Sequence, residues 1–180
     1  GGNEFDTGSL DGSPQSYVPG SVDQALDLVD ANADNTGADL VVTETDVGVS
    51  GPTRYDDDTV EVPDLRSVSI TGALADGDIT LDAGVSIAGS TAENNHAISD
   101  LTIDNADGDG ADPAINIGSD NAQVDFDNLD VTSSGDGLVV GTSEDDVNVV
   151  TVTDSTFTVT AAGENGIVLN GGDSDDRDGF

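Results

Sequence analysis

Residues 101–104 read Leu-Thr-Ile-Asp, residues 129–132 Leu-Asp-Val-Thr and residues 157–160 Phe-Thr-Val-Thr, one apolar–x–apolar word recurring at steps of 28 residues. Val124 and Val152 keep the same step, each five residues ahead of a lead apolar residue. Such a word puts two side chains on one face of an extended strand. A second word follows each of the first: Ile115-Asn-Ile117, Leu138-Val-Val140 and Ile167-Val-Leu169, at offsets of 14, 9 and 10 from the lead residue. Constant strands joined by loops of changing length describe a chain stacked on itself, repeat by repeat. One repeat cannot bury its apolar face alone, whereas stacked repeats form a continuous core.

The same kind of word fills residues 38–172, including Leu40-Val-Val42, Val60-Glu-Val62, Val68-Ser-Ile70, Ile79-Thr-Leu81 and Val85-Ser-Ile87, with Gly, Asp and Asn between them. Short strands at this density exclude a helical bundle and a doubly wound sheet, and suit a sandwich, a barrel or a solenoid. The 28-residue period selects the solenoid. The expected fold is therefore all-β, a right-handed parallel β-helix of about five coils with three strands each. Residues 21–31 predict an α-helix that caps it. Ser21 is a good N-cap, Gln24 completes a capping box, and Val22, Ala25, Leu26 and Val29 form a single apolar stripe. The domain plan is an extended N-terminal tail over 1–20, capping helix and loop over 21–37, β-helix over 38–172 and an acidic C-terminal segment over 173–180.

The order Ser21-Val-Asp-Gln-Ala-Leu-Asp-Leu-Val-Asp30, then Asp39-Leu-Val-Val-Thr43, then Val68-Ser-Ile-Thr-Gly72 resembles the pectate-lyase-like parallel β-helix superfamily. Members of that superfamily commonly open with an amphipathic helix over the first coil. The resemblance covers residues 21–172. It implies an architecture but not an activity, because the fold hosts lyases, hydrolases, adhesins, viral spikes and structural proteins. The asparagine ladder common in such folds is not expected, since Asn128 is followed 28 residues later by Thr156.

The 180 residues carry 38 acidic side chains against 3 basic ones, Arg54, Arg66 and Arg177, a formal net charge of −35. That balance excludes nucleic-acid binding by phosphate neutralisation and docking on an anionic membrane. No apolar run approaches the roughly 20 residues of a membrane-spanning helix. With no Cys there is no disulfide or thiolate metal site. The patterned apolar words argue against disorder, and an acidic folded chain without Lys resembles haloarchaeal surface proteins. At about 1 M salt the Debye length falls to roughly 3 Å, which screens the self-repulsion. Gly1 in place of an initiator Met suits a processed, extracellular chain.

Candidate chemistry centres on aspartate. Asp104, Asp107, Asp109 and Asp112 lie in one Asp/Gly loop, and Asp173, Asp175, Asp176 and Asp178 in the C-terminal segment. Both suit calcium, which takes six to eight oxygen ligands, although neither completes a calcium-loop pattern and a solvated acidic loop fits them equally. His96, the single histidine, reads as structural. Phe126 and Phe157 fall at strand positions and are expected in the core. A β-helix lyase or glycosidase would need convergent carboxylates about 5–9.5 Å apart, and among 38 acids such a pair arises by chance.

The functional expectation is a non-enzymatic extracellular subunit of a halophile's surface filament, sheath or surface layer, with copies of itself as partners. Surface glycans are a further expected partner; nucleic acid and membrane insertion are not. Phe5, Leu10, Tyr17 and Val18 punctuate the polar tail and are expected to anchor it on a neighbouring subunit by strand addition. No capping pattern follows Asn170-Gly-Gly172, so subunits could equally stack end to end. A polysaccharide lyase or glycosidase and a viral spike or adhesin module are the alternatives.

Overall fold

The computed structural model describes residues 5–10, 13–17, 22, 26, 37–42, 53–62, 67–72, 79–87, 95–106, 112–118, 123–141 and 149–170. These residues are almost entirely strand, and the strands after the first two pair in parallel. The first two, β1 (Phe5–Leu10) and β2 (Ser13–Tyr17), form an antiparallel hairpin with Phe5 opposite Tyr17, and β1 lies beside β3 (Gly37–Val42).

The parallel strands fall into three rows. The first row runs from β3 through β5 (Ser67–Gly72), the front half of β7 (Asn95–Asn105) and the front half of β9 (Gln123–Ser133) to β11 (Val149–Thr153). The second takes the front half of β4 (Thr53–Val62), the front of β6 (Ile79–Ile87), the back halves of β7 and β9, and β12 (Thr156–Val159). The third takes the back halves of β4 and β6, then β8 (Ile115–Ile117), β10 (Leu138–Val140) and β13 (Ile167–Leu169). The chain visits the rows in the same order each time. Long strands such as β7 and β9 bend once and serve two rows, so the sheet curls around its own core.

Alternation within each strand fills that core. In β5 every second residue is buried, and the same inward positions recur one repeat on. The third row stacks Val60, Val85, Ile115 and Leu138, with Val62, Ile87, Ile117 and Val140 beside them, all buried. Phe126 is fully buried, as its strand position predicts, and Phe157 packs partly buried against the same cluster. Each buried Val, Leu or Ile contributes roughly 1.5–3 kcal/mol of transfer free energy. Of the expected helix over 21–31, only Val22 and Leu26 are among the described residues. Both are helical, fully buried and part of the core, and the rest of that helix lies outside the described residues.

The 28-residue period holds as register from β5 to β7 and from β7 to β9: Ile70 faces Ile98, Ile98 faces Phe126, and Leu101 faces Leu129. It fails in the last repeat. There Val124 faces Val150, not Val152, and Val131 rather than Leu129 faces Phe157, a step of 26. A two-residue slip leaves every inward side chain inward, because strand facing has a period of two. The apolar pattern therefore tolerates either register, and the shorter connection selects this one.

The bends carry a feature that the 28-residue step hid. Asp100, Asn128 and Asp154 all have positive φ, at 57°, 53° and 46°. They stack at the corner between the first and second rows, and Asn128 Nδ2 donates to Asp100 Oδ1 at 2.8 Å. This is a side-chain ladder at the corner, with Asn128 linked backward to Asp100, contrary to the expectation of none. Asn and Asp tolerate the left-handed region better than other side-chain-bearing residues. Gly72 is packed directly on the carbonyl oxygen of Asp100, where a Cβ would collide with backbone.

Replacing Asn128 tests the ladder. Asn128→Asp keeps the tolerated backbone but sets carboxylate on carboxylate. It should lower stability by about 1 kcal/mol or more in dilute buffer and less in about 3 M salt, where screening is strong. Equal thermal shifts at both salt levels would show that the contact is not electrostatic.

Candidate functional site

Aspartates in this chain have almost no cations to pair with, and the structure gives them neutral donors instead. Asp127 Oδ1 accepts from Thr153 Oγ1 at 2.6 Å, and Asp136 Oδ1 accepts from Asn165 N at 2.7 Å and Asn165 Nδ2 at 3.2 Å. Each of these bonds crosses from one repeat to the next. The outward acids of β9 also avoid one another: Asp125 lies between Ala97 and Thr151, Asp127 between Ser99 and Thr153, and Asp130 between Thr102 and Thr156. Among the ladder pairs of described residues, only Asp56 and Asp82 set acid opposite acid. Like charges directly opposite destabilise a sheet pair, so this alternation is what lets so acidic a chain stack.

The expected calcium residues are only partly placed. Asp104 sits half-buried near the end of β7, its Oδ1 accepting from Ala106 N at 3.3 Å. Asp112 is exposed, just ahead of β8. Asn105 Nδ2 reaches the carbonyls of Asp112 at 3.3 Å and Pro113 at 3.4 Å, tying the two ends of the loop together. Asp107, Asp109, Asp173, Asp175, Asp176 and Asp178 lie outside the described residues. Among the described residues, no three His, Asp or Glu side chains gather into a group that could hold a metal ion. Of the tail anchors, Phe5, Leu10 and Tyr17 lie in the β1–β2 hairpin, and Val18 is outside the described residues.

The Asn105 tether also builds a groove of about 330 Å³ on the outer face of the third row. Thr59, Ser86, Asn105, Asp112 and Asn116 line it, over a floor at Gly84. A Cβ on Gly84 would stand 3.4 Å from the Pro113 carbonyl. The lining is polar and neutral apart from Asp112, so it offers hydrogen bonds with little charge. Glycoside hydrolysis needs two convergent carboxylates, and this lining supplies one.

His96 occupies a wall of the first row, opposite Val124, with 3 % of its surface exposed. Its Nδ1 accepts a hydrogen bond from Val68 N at 3.3 Å, one repeat earlier. Burial lowers its pKa below the ordinary 6.5. It therefore closes a backbone donor inside the core as a neutral ring.

The last repeat differs from all the others. Its inward residues stand in line with buried ones, yet Val149, Val152, Ile167 and Leu169 are 52 %, 36 %, 48 % and 57 % exposed. Its outward positions are Thr151, Thr153, Thr156 and Thr158. Residues 149–170 hold two acids, Asp154 and Glu164, whereas the two preceding 22-residue windows hold five each. A running count of acids along the sequence would have found this neutral edge. No family model, curated protein or solved structure matches the chain.

The His96 geometry fixes a sign for pH. The unfolded chain takes up a proton near pH 6.5 while the folded state, with its depressed pKa, does not. Stability should fall as pH drops below about 6.5, relative to His96→Asn, whose side-chain oxygen can accept from Val68 N without titrating. The check is the difference between the two unfolding midpoints from pH 7.5 to 5. A constant difference would mean that His96 titrates alike in both states.

Proposed function

We propose that this chain is a right-handed parallel β-helix that works as a non-enzymatic structural subunit on the outside of a halophilic microbe, assembling with copies of itself into a surface filament, sheath or layer. The observation that carries the reading is the last repeat, where apolar positions buried everywhere else stand open beside strand edges with no partner among the described residues. Long apolar strand edges without Lys, Pro or bulges template association. The net charge of −35 with no Lys supports the saline setting, because association of such a chain needs strong screening. The β1–β2 hairpin, with Phe5 and Tyr17 as cross-strand partners, is the second element that could be exchanged with a neighbour. The pectate-lyase-like β-helix superfamily remains the proposed architectural relative.

Calcium and glycans are secondary to this reading. Calcium would bridge at the Asp104–Asp112 loop and the 173–180 segment. A surface glycan would find neutral hydrogen-bonding groups in the groove formed by Thr59, Ser86, Asn105 and Asn116.

Negative-stain electron microscopy in about 3 M salt, with and without a calcium chelator, tests the proposal under screening strong enough to permit association. Polymers in both samples are expected. Polymers lost only on chelation would make calcium part of the assembly. Monodisperse particles of single-chain size in both would overturn the structural reading.

A further inference from the structure

The two ends of the stack are unlike. Ahead of the first repeat, Val22 and Leu26 are fully buried in the core and β1 lies beside β3. After the last, Ile167 and Leu169 are 48 % and 57 % exposed although they continue the lines Ile115–Leu138 and Ile117–Val140. Residues 171–180 cannot cover them with another apolar repeat, since they contain four Asp, one Arg and a single apolar side chain, Phe180.

We propose that the terminal repeat, β11 to β13, is a self-complementary interface that binds the same repeat of a second copy about a two-fold axis. The inference rests on the self-assembly reading above and names its contact. Charge selects the partner. Within the stack, acids face neutral Ala, Ser or Thr in every described ladder pair but one. Had the terminal repeat kept the Asp125, Asp127 and Asp130 pattern of β9, a two-fold contact would set carboxylate against carboxylate. Its outward residues are instead Thr151, Thr153, Thr156 and Thr158, so like meets like without charge. Threonine pairs across strands are themselves favourable. A two-fold axis perpendicular to the strands sets matching edge strands antiparallel, which satisfies their free backbone groups. It also covers both open apolar ends at once. A head-to-tail contact would set this open end on one that already carries Val22, Leu26 and the hairpin.

Such a contact closes on itself. It makes a dimer, and any filament needs a second contact elsewhere, for which the β1–β2 hairpin is available.

The chain has no Cys, so a single introduced thiol reports on symmetry. A disulfide needs Cα atoms within about 7 Å, and a residue reaches its own copy only across a two-fold. Val149→Cys, Val152→Cys, Thr158→Cys and Leu169→Cys are each oxidised in about 3 M salt, with Asp125→Cys, exposed one repeat inward, as control. At least one end-repeat variant should form covalent dimer about tenfold faster than the control, as expected when thiols are held together rather than meeting by diffusion. If none exceeds the control, the two-fold contact is overturned. Light scattering on the wild type then separates the two ideas. An assembly larger than the monomer keeps self-association through another face, and a monomer removes that reading as well.

Discussion

Everything in this structure depends on stacking like on like within the core and unlike on the surface. Successive strands of a row lie about 4.8 Å apart, close enough for inward apolar side chains to pack and for outward carboxylates to repel. The inward lines, such as Val60, Val85, Ile115 and Leu138, satisfy the first requirement by repetition. The outward positions satisfy the second by alternation, with Asp125, Asp127 and Asp130 set between neutral neighbours. Thr and Asn then act as the donors that Lys would supply elsewhere, as at Thr153–Asp127 and Asn165–Asp136. A chain with a net charge of −35 can stack because its acids are distributed in this way.

The sequence made the strands legible because their signal is local and repeated. Leu101 and Leu129 stand opposite each other as the 28-residue step predicts, and so do Ile115, Leu138 and Ile167. The slip of the last repeat to 26 residues was hidden because a two-residue shift preserves the inward pattern. That same slip hid the corner ladder. Counting 28 on from Asn128 leads to Thr156, whereas the residue stacked at the corner is Asp154, with Asp100 behind. His96 read as a wall or corner residue, and it is a buried wall residue whose ring nitrogen closes a backbone donor. The site was harder to read. Abundant Asp drew attention to acidic loops, whereas the distinctive surface is the one that lacks acids, at residues 149–170.

The asymmetry of the ends links fold to function. A repeat stack must end somewhere, and each end exposes backbone edges and apolar side chains unless something covers them. Here Val22 and Leu26 join the core ahead of the first repeat, while Val149, Ile167 and Leu169 remain open after the last. High salt strengthens the case for association at that end, because screening removes the repulsion that would otherwise keep two such acidic bodies apart.

Hydrogen exchange at two protein concentrations in about 3 M salt tests the central claim most directly. The account predicts that amides of β11 and β13 gain protection as concentration rises, while those of β6, β8 and β9 are already protected and do not change. Protection in β11 and β13 that is independent of concentration would contradict it, because the open end would then be no interface.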